Sequence, residues 1–197
     1  MATIDRLGKE WRVSFEVKPQ SNEYRSYASV LHLTTLPLLS GEDGSSSCAR
    51  SGDRTPAVWL HPSRGVLVSS ALNGTATFSF NVPPKDFNIS ISQWSKMEVN
   101  QIFTGEHYTF SILINSTTVF LETNNRPEVF FDVNIFASNP WASPQNGTIK
   151  SLIIESKEQG KRARLSSLSV VLIKMSIAQS FILSINGVSC HIRYSPK

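Results

Sequence analysis

A chain of 197 residues is long enough for one domain with a sizeable core, or for one domain with an appendage. With 40% hydrophobic and 17% charged residues it is not a disordered chain, and its wealth of Ser, Thr, Val, Ile and Phe suits strands better than helices. The net charge of +4 is dispersed apart from a cluster at Lys157 to Arg164, and there is no basic stripe with interleaved aromatics, which argues against a nucleic-acid partner.

The opening stretch MATIDRLGKEW has no apolar run and so predicts no signal peptide. The first strand is predicted where Trp11, Val13, Phe15 and Val17 alternate with Arg12, Ser14, Glu16 and Lys18, closed by Pro19. Tyr24 to Thr35 predicts a second strand. Leu38 to Thr55, dense in Gly, Ser and charge, predicts a loop. Short apolar runs follow at Ala57–Leu60 and Val66–Val68, and Asn73-Gly74 predicts a hairpin into Thr75–Asn81. The most regular stretch runs from Trp94 to Thr123. Met97 and Val99, then Tyr108, Phe110, Ile112 and Ile114, then Val119 and Leu121 predict three strands, reversed at Gly105 and at Asn115-Ser116. Val129–Ala137 and Gly147–Ile154 add two more. Short strands at even spacing, with no helical pattern up to Glu155, predict an all-β antiparallel β-sandwich of jelly-roll type over residues 1–155.

Residues 156–197 read differently. A basic linker precedes the apolar stretch Leu165–Ile185, which Lys174 and many Ser residues spoil as a membrane span. Asn186-Gly187 between Phe181–Ile185 and Val188–Tyr194 instead predicts a C-terminal hairpin. Cys48 and Cys190 could close one long loop as a disulfide or remain ordinary thiols. Four N-glycosylation sequons, at Asn73, Asn88, Asn115 and Asn146, fall at predicted turns or loops. They point to an extracellular setting, and together with the missing signal peptide they suggest a piece of a longer secreted protein.

Chemistry is sparse. His32, His61, His107 and His191 lack metal-ligand spacing, and no nucleophile elbow, CxxC pair or phosphate-cradling glycine loop occurs. Glu98 has no second acid two residues away on its strand, which argues against a glycoside hydrolase. Glu42, Asp43 and Asp53 are of the type that binds calcium, yet without EF-hand spacing a solvated loop is the simpler reading. No other cofactor is implied. Trp59 and Trp94 are expected in the core. Trp141, in SNPWASPQNG, is either an exposed stacking platform or a plug for the sandwich end.

The strand WRVSFEV at Trp11–Val17, the WSKMEVNQ strand from Trp94, YTFSILINSTTVFLET from Tyr108 and the segment VFFDVNIFASNPW together resemble the concanavalin A-like jelly roll, particularly laminin G-type modules, over residues 11–155. The galectin sugar-binding motif and the clustered calcium acids of pentraxins are not found. The resemblance implies a non-enzymatic extracellular recognition module for glycans or an extracellular protein, with Trp141, Asp53 and Arg54 as candidate ligand contacts. A glycan-processing enzyme on the same fold, or a matrix or assembly module without a small ligand, are the alternatives.

Overall fold

The structure is a computed structural model. It describes residues 2–20, 27–35, 50–61, 65–84, 89–137 and 145–157, together with the backbone of 173–175, 181–185 and 188–192. Among the described residues there are fourteen strands in chain order: β1 (Ala2–Leu7), β2 (Glu10–Pro19), β3 (Ala28–Thr34), β4 (Ala57–Leu60), β5 (Val66–Leu72), β6 (Thr75–Val82), β7 (Ser95–Phe103), β8 (Tyr108–Ile114), β9 (Thr117–Asn124), β10 (Phe130–Phe136), β11 (Gly147–Lys157), β12 (Ile173–Met175), β13 (Phe181–Ile185) and β14 (Val188–Ile192). No helix occurs among the described residues, hence none long and apolar enough to cross a membrane.

Every strand pairing is antiparallel. The first sheet has the order β1-β10-β3-β4-β5-β6 and the second β12-β11-β2-β7-β8-β9. The chain crosses between them repeatedly, from β1 to β2, back to β3 through β6, across to β7 through β9, and so on to β11. This is an antiparallel jelly-roll sandwich. The predicted strands are all present. The N-terminal strand β1 was not foreseen: ATIDRL offers only Ala2, Ile4 and Leu7 as apolar residues, and it is an edge strand paired on one side alone, to β10. The C-terminal hairpin is present as β13–β14, with Phe181 opposite Ile192 and Ile185 opposite Val188.

Period-two alternation builds the core. In the second sheet the row Val13, Val99, Ile112, Phe120 lies across β2, β7, β8 and β9, and a neighbouring row joins Phe15, Met97 and Ile114. In the first sheet, Leu31, Val58, Val68 and Phe80 form the corresponding row. These residues belong to one continuous apolar cluster between the sheets. A fully buried side chain of this kind contributes about 1.5–3 kcal/mol, whereas an exposed ion pair contributes about 0–1, so the core rather than surface charge holds the sandwich. Phe78 and Phe80 meet Phe120 at ring-centroid distances of 5.6 and 4.3 Å, sealing the long side between edge strands β6 and β9.

One end of the sandwich is closed by amides. Asn73 and Gly74 both have positive φ (53° and 79°), as the tight β5–β6 turn demands. The Asn73 side chain then fastens that turn to β9. Its Nδ2 donates to Glu122 Oε1 (3.0 Å) and to the Thr123 carbonyl (2.9 Å), and its Oδ1 accepts from the Asn125 amide (2.7 Å). The buried Asn124 accepts the Asn73 and Arg126 amides at Oδ1, both at 3.0 Å, and donates to Gln101 Oε1 at 2.6 Å. Gln101 in turn donates to the Lys9 carbonyl at 2.6 Å.

Candidate functional site

Strand β3 carries His32 between Leu31 and Leu33. Both leucines lie in the core, so the pleat turns His32 to the outer face of the first sheet. The same holds in β4, where Val58 and Leu60 join the core and Ala57 and Trp59 do not. Two cross-strand rows therefore face outward: His32, Ala57, Ser69, Ser79, and beside it Ser29, Trp59, Leu67, Asn81. Trp59 is buried, as expected from its apolar run, but it lies against the outside of the sheet and not in the cluster between the sheets. His32 and Ser29 are fully buried and Trp59 is 5% exposed, so this outer face is covered.

Much of the cover is the segment 50–55, which runs back along β3. The Thr35 amide donates to the Gly52 carbonyl and the Thr55 amide to the Leu33 carbonyl, both at 2.9 Å. Gly52 has a φ of +95° and a Cβ there would strike the Thr35 hydroxyl, so the turn needs glycine. Asp53 closes the turn on itself, its Oδ2 accepting the Arg50 amide at 2.8 Å. The Asp53 carbonyl is 2.6 Å from His32 Nε2. A carbonyl can only accept, so the proton sits on Nε2. Burial lowers the His32 pKa to about 4, aided by the Arg54 charge and opposed by the bond to the Asp53 carbonyl, so the imidazole is neutral at pH 7.

Trp59 is held between two polar neighbours. The His32 ring meets it edge-on at 5.7 Å, and the Arg54 guanidinium lies 5.4 Å from the indole centroid. Asp53 Oδ1, Thr55 Oγ1 and Ser29 Oγ are buried without hydrogen-bond partners among the described residues. Tyr27 and His61 stack edge-on at 4.9 Å, with Tyr27 40% exposed. The result is a buried indole covered by a planar donor, with a carboxylate on the residue before that donor that holds an unspent acceptor. A guanidinium donor, an unspent carboxylate acceptor and an indole contributed by nearby residues are groups suited to a polyhydroxylated or carboxylate-bearing ligand.

The outer face of the second sheet is organised differently. Glu98 and Glu155 lie on either side of Arg12, at 2.5 and 3.9 Å, Glu16 pairs with Lys150 at 3.2 Å, and Glu10 with Lys157 at 2.7 Å. Asn100 donates to Glu98 at 2.9 Å and receives from the Ser111 hydroxyl at 2.7 Å. Four acids share this face, and each carboxylate is held by a cation. Trp94 is half-buried on this face, with Lys150 Nζ 4.1 Å and Lys18 Nζ 6.0 Å from its ring, rather than in the expected core.

Of the residues singled out from sequence, Asp53 and Arg54 come together, and they do so beside His32 and Trp59, neither of which sequence reasoning selected. Trp141, Cys48, Asn88, Glu42 and Asp43 lie outside the described residues, as does the side chain of Cys190 on β14. Of the acids in the expected calcium loop, Asp53 is the one described, and one of its oxygens serves the turn. Among the described residues no three His, Cys, Asp or Glu side chains converge as a metal site.

No family model matches the chain, and no curated protein matches it in sequence. Among solved structures it is similar to a heptameric SAP-like pentraxin from Limulus polyphemus, at 10% identity and a TM-score of 0.48, over 78% of this chain and 66% of the pentraxin. It is also similar to human galectin-16, at 9% identity and a TM-score of 0.45, over 79% of this chain and 94% of the galectin. A third is the CBM40 module of a Ruminococcus gnavus IT-sialidase, solved bound to α2,6-sialyllactose, at 12% identity and a TM-score of 0.40, over 80% of this chain and 70% of that one. The chain thus spans just under two thirds of the pentraxin's length.

Proposed function

We propose that this chain is a non-enzymatic recognition module that acts outside the cell and binds a glycan on the outer face of its first sheet, at Asp53, Arg54 and Trp59. The observations that carry the reading are the Arg54 guanidinium over Trp59 and, on the preceding residue, the buried and unspent Oδ1 of Asp53. A sugar offers vicinal hydroxyls that both donate and accept, and an apolar face that packs on an indole. Arg54 supplies donors, Asp53 an acceptor, and Trp59 the apolar surface once the guanidinium moves aside. The Arg54–Trp59 contact is a cation–π pair worth about 0.5–2 kcal/mol, an amount that ligand contacts can replace.

A glycan-processing activity would need an acid and a base on one face with room for the scissile bond between them. On the outer face of the second sheet, Glu98 and Glu155 have Arg12 between them instead, and Glu16 and Glu10 pair with Lys150 and Lys157. That observation favours binding over hydrolysis. The test is a glycan array probed with the full chain and with Asp53→Asn and Arg54→Ala. Selective binding that both substitutions abolish supports the assignment; binding that neither changes moves the site elsewhere.

A further inference from the structure

Two sequons sit in tight turns of the same sandwich, and the hydrogen bonds of their asparagines are opposite in kind. In N-glycosylation the Asn side-chain nitrogen attacks the anomeric carbon of an oligosaccharide carried on a lipid diphosphate. An N–C bond forms, the anomeric C–O bond breaks, the lipid diphosphate leaves, and the nitrogen gives up one proton. The product keeps one N–H and the carbonyl oxygen. A folded protein accommodates the sugar where one N–H is free to be replaced and the space beyond it is solvent.

Asn73 fails that condition. Both of its Nδ2 hydrogens are committed, to Glu122 Oε1 at 3.0 Å and to the Thr123 carbonyl at 2.9 Å, and its Oδ1 holds the Asn125 amide. A sugar on Nδ2 would take one of these bonds and stand where β9 lies. Asn115 meets the condition. It is exposed, with Ser116 and Thr117 exposed beside it, at the tip of the β8–β9 hairpin, where φ is 48° at Asn115 and 66° at Ser116. Its Oδ1 accepts the Lys96 amide at 2.8 Å, a bond that glycosylation leaves in place, and its Nδ2 makes no hydrogen bond among the described residues.

From this geometry we infer that Asn115 is an N-glycan attachment site and that Asn73, despite the same motif, is a structural asparagine that carries none. The assignment rests on the extracellular placement proposed above. The test supplies that placement: the full chain is fused to a cleavable secretion leader, produced in a eukaryotic host, and the folded secreted fraction is deglycosylated in heavy-oxygen water and read peptide by peptide. Asn115 is expected to carry the isotope label and Asn73 not. Thr117→Ala, which removes the motif while keeping the Asn115–Lys96 bond, is expected to lose the mass of one glycan; Thr75→Ala is expected to lose none. A labelled Asn73 in folded protein, an unlabelled Asn115, or an unchanged mass in Thr117→Ala would overturn the assignment. Because the leader comes from the experiment, these outcomes are independent of the ligand-binding reading, which is tested on unglycosylated protein.

Discussion

Acidification from pH 7 to pH 4 should weaken this sandwich through one imidazole. His32 is fully buried, and its pKa falls from 6.5 to about 4, chiefly because burial disfavours the charged ring and secondarily because Arg54 is nearby. The unfolded chain takes up the proton near pH 6.5 and the folded chain only near 4, so between those values the unfolded state binds more protons and stability falls as pH falls. The difference of about 2.5 pH units corresponds to about 3 kcal/mol, present in full above pH 6.5 and gone below pH 4. That is a large share of the 5–15 kcal/mol or so that a domain of this type holds in reserve. The assay is urea denaturation followed by tryptophan fluorescence from pH 4 to pH 7.5, with His32→Gln alongside. Glutamine retains an N–H for the Asp53 carbonyl and does not titrate. The wild-type curve should lose about 3 kcal/mol more than the variant's across that window. Parallel curves, or a His32 ring that titrates near 6.5 by NMR, would refute the reasoning.

Two further effects follow from the side chains described. Replacing Asn124 by Ala strands the Asn73 and Arg126 amides and Gln101 Oε1 at the sandwich end, and should cost about 2–3 kcal/mol in denaturant unfolding with an unchanged m-value. Arg54→Ala uncovers Trp59, which should raise the accessibility of tryptophan to acrylamide while changing stability by no more than about 2 kcal/mol; unchanged quenching would show that Arg54 is not the cover.

The strands were legible because alternation is a local signal. β2, β7 and β8 each place one apolar residue in two over most of their length, and that parity decides which side meets the core. Parity also carried information that was easy to pass over. Met97 is inward, and Trp94 is an odd number of residues away, so Trp94 belongs to the outer face, where it lies with Lys18 and Lys150. For Trp59 the sequence is silent. All four residues of β4 are apolar and buried, and a run without alternation does not say which of its faces is the core. β1 escaped because an edge strand needs only one buried partner and so carries little pattern. The candidate site was half visible. Asp53 and Arg54 stand out as charges in a polar loop, but their meeting with His32 depends on a turn folding back across β3, and no local pattern encodes a contact between positions so far apart. The same is true of Asn73, whose Asn-Gly pair announces the turn and not the anchoring bonds to β9.

We propose glycan recognition on the outer face of the first sheet, at Asp53, Arg54 and Trp59. Its most direct test is the glycan array, with the full chain, Asp53→Asn and Arg54→Ala, each read in calcium and again in chelator. The wild-type chain is expected to bind a restricted set of glycans, and both variants to lose that binding while circular dichroism shows them folded. Loss on chelation as well would bring calcium into the site. A blank array from a folded wild-type chain, or binding that survives both substitutions, would contradict it.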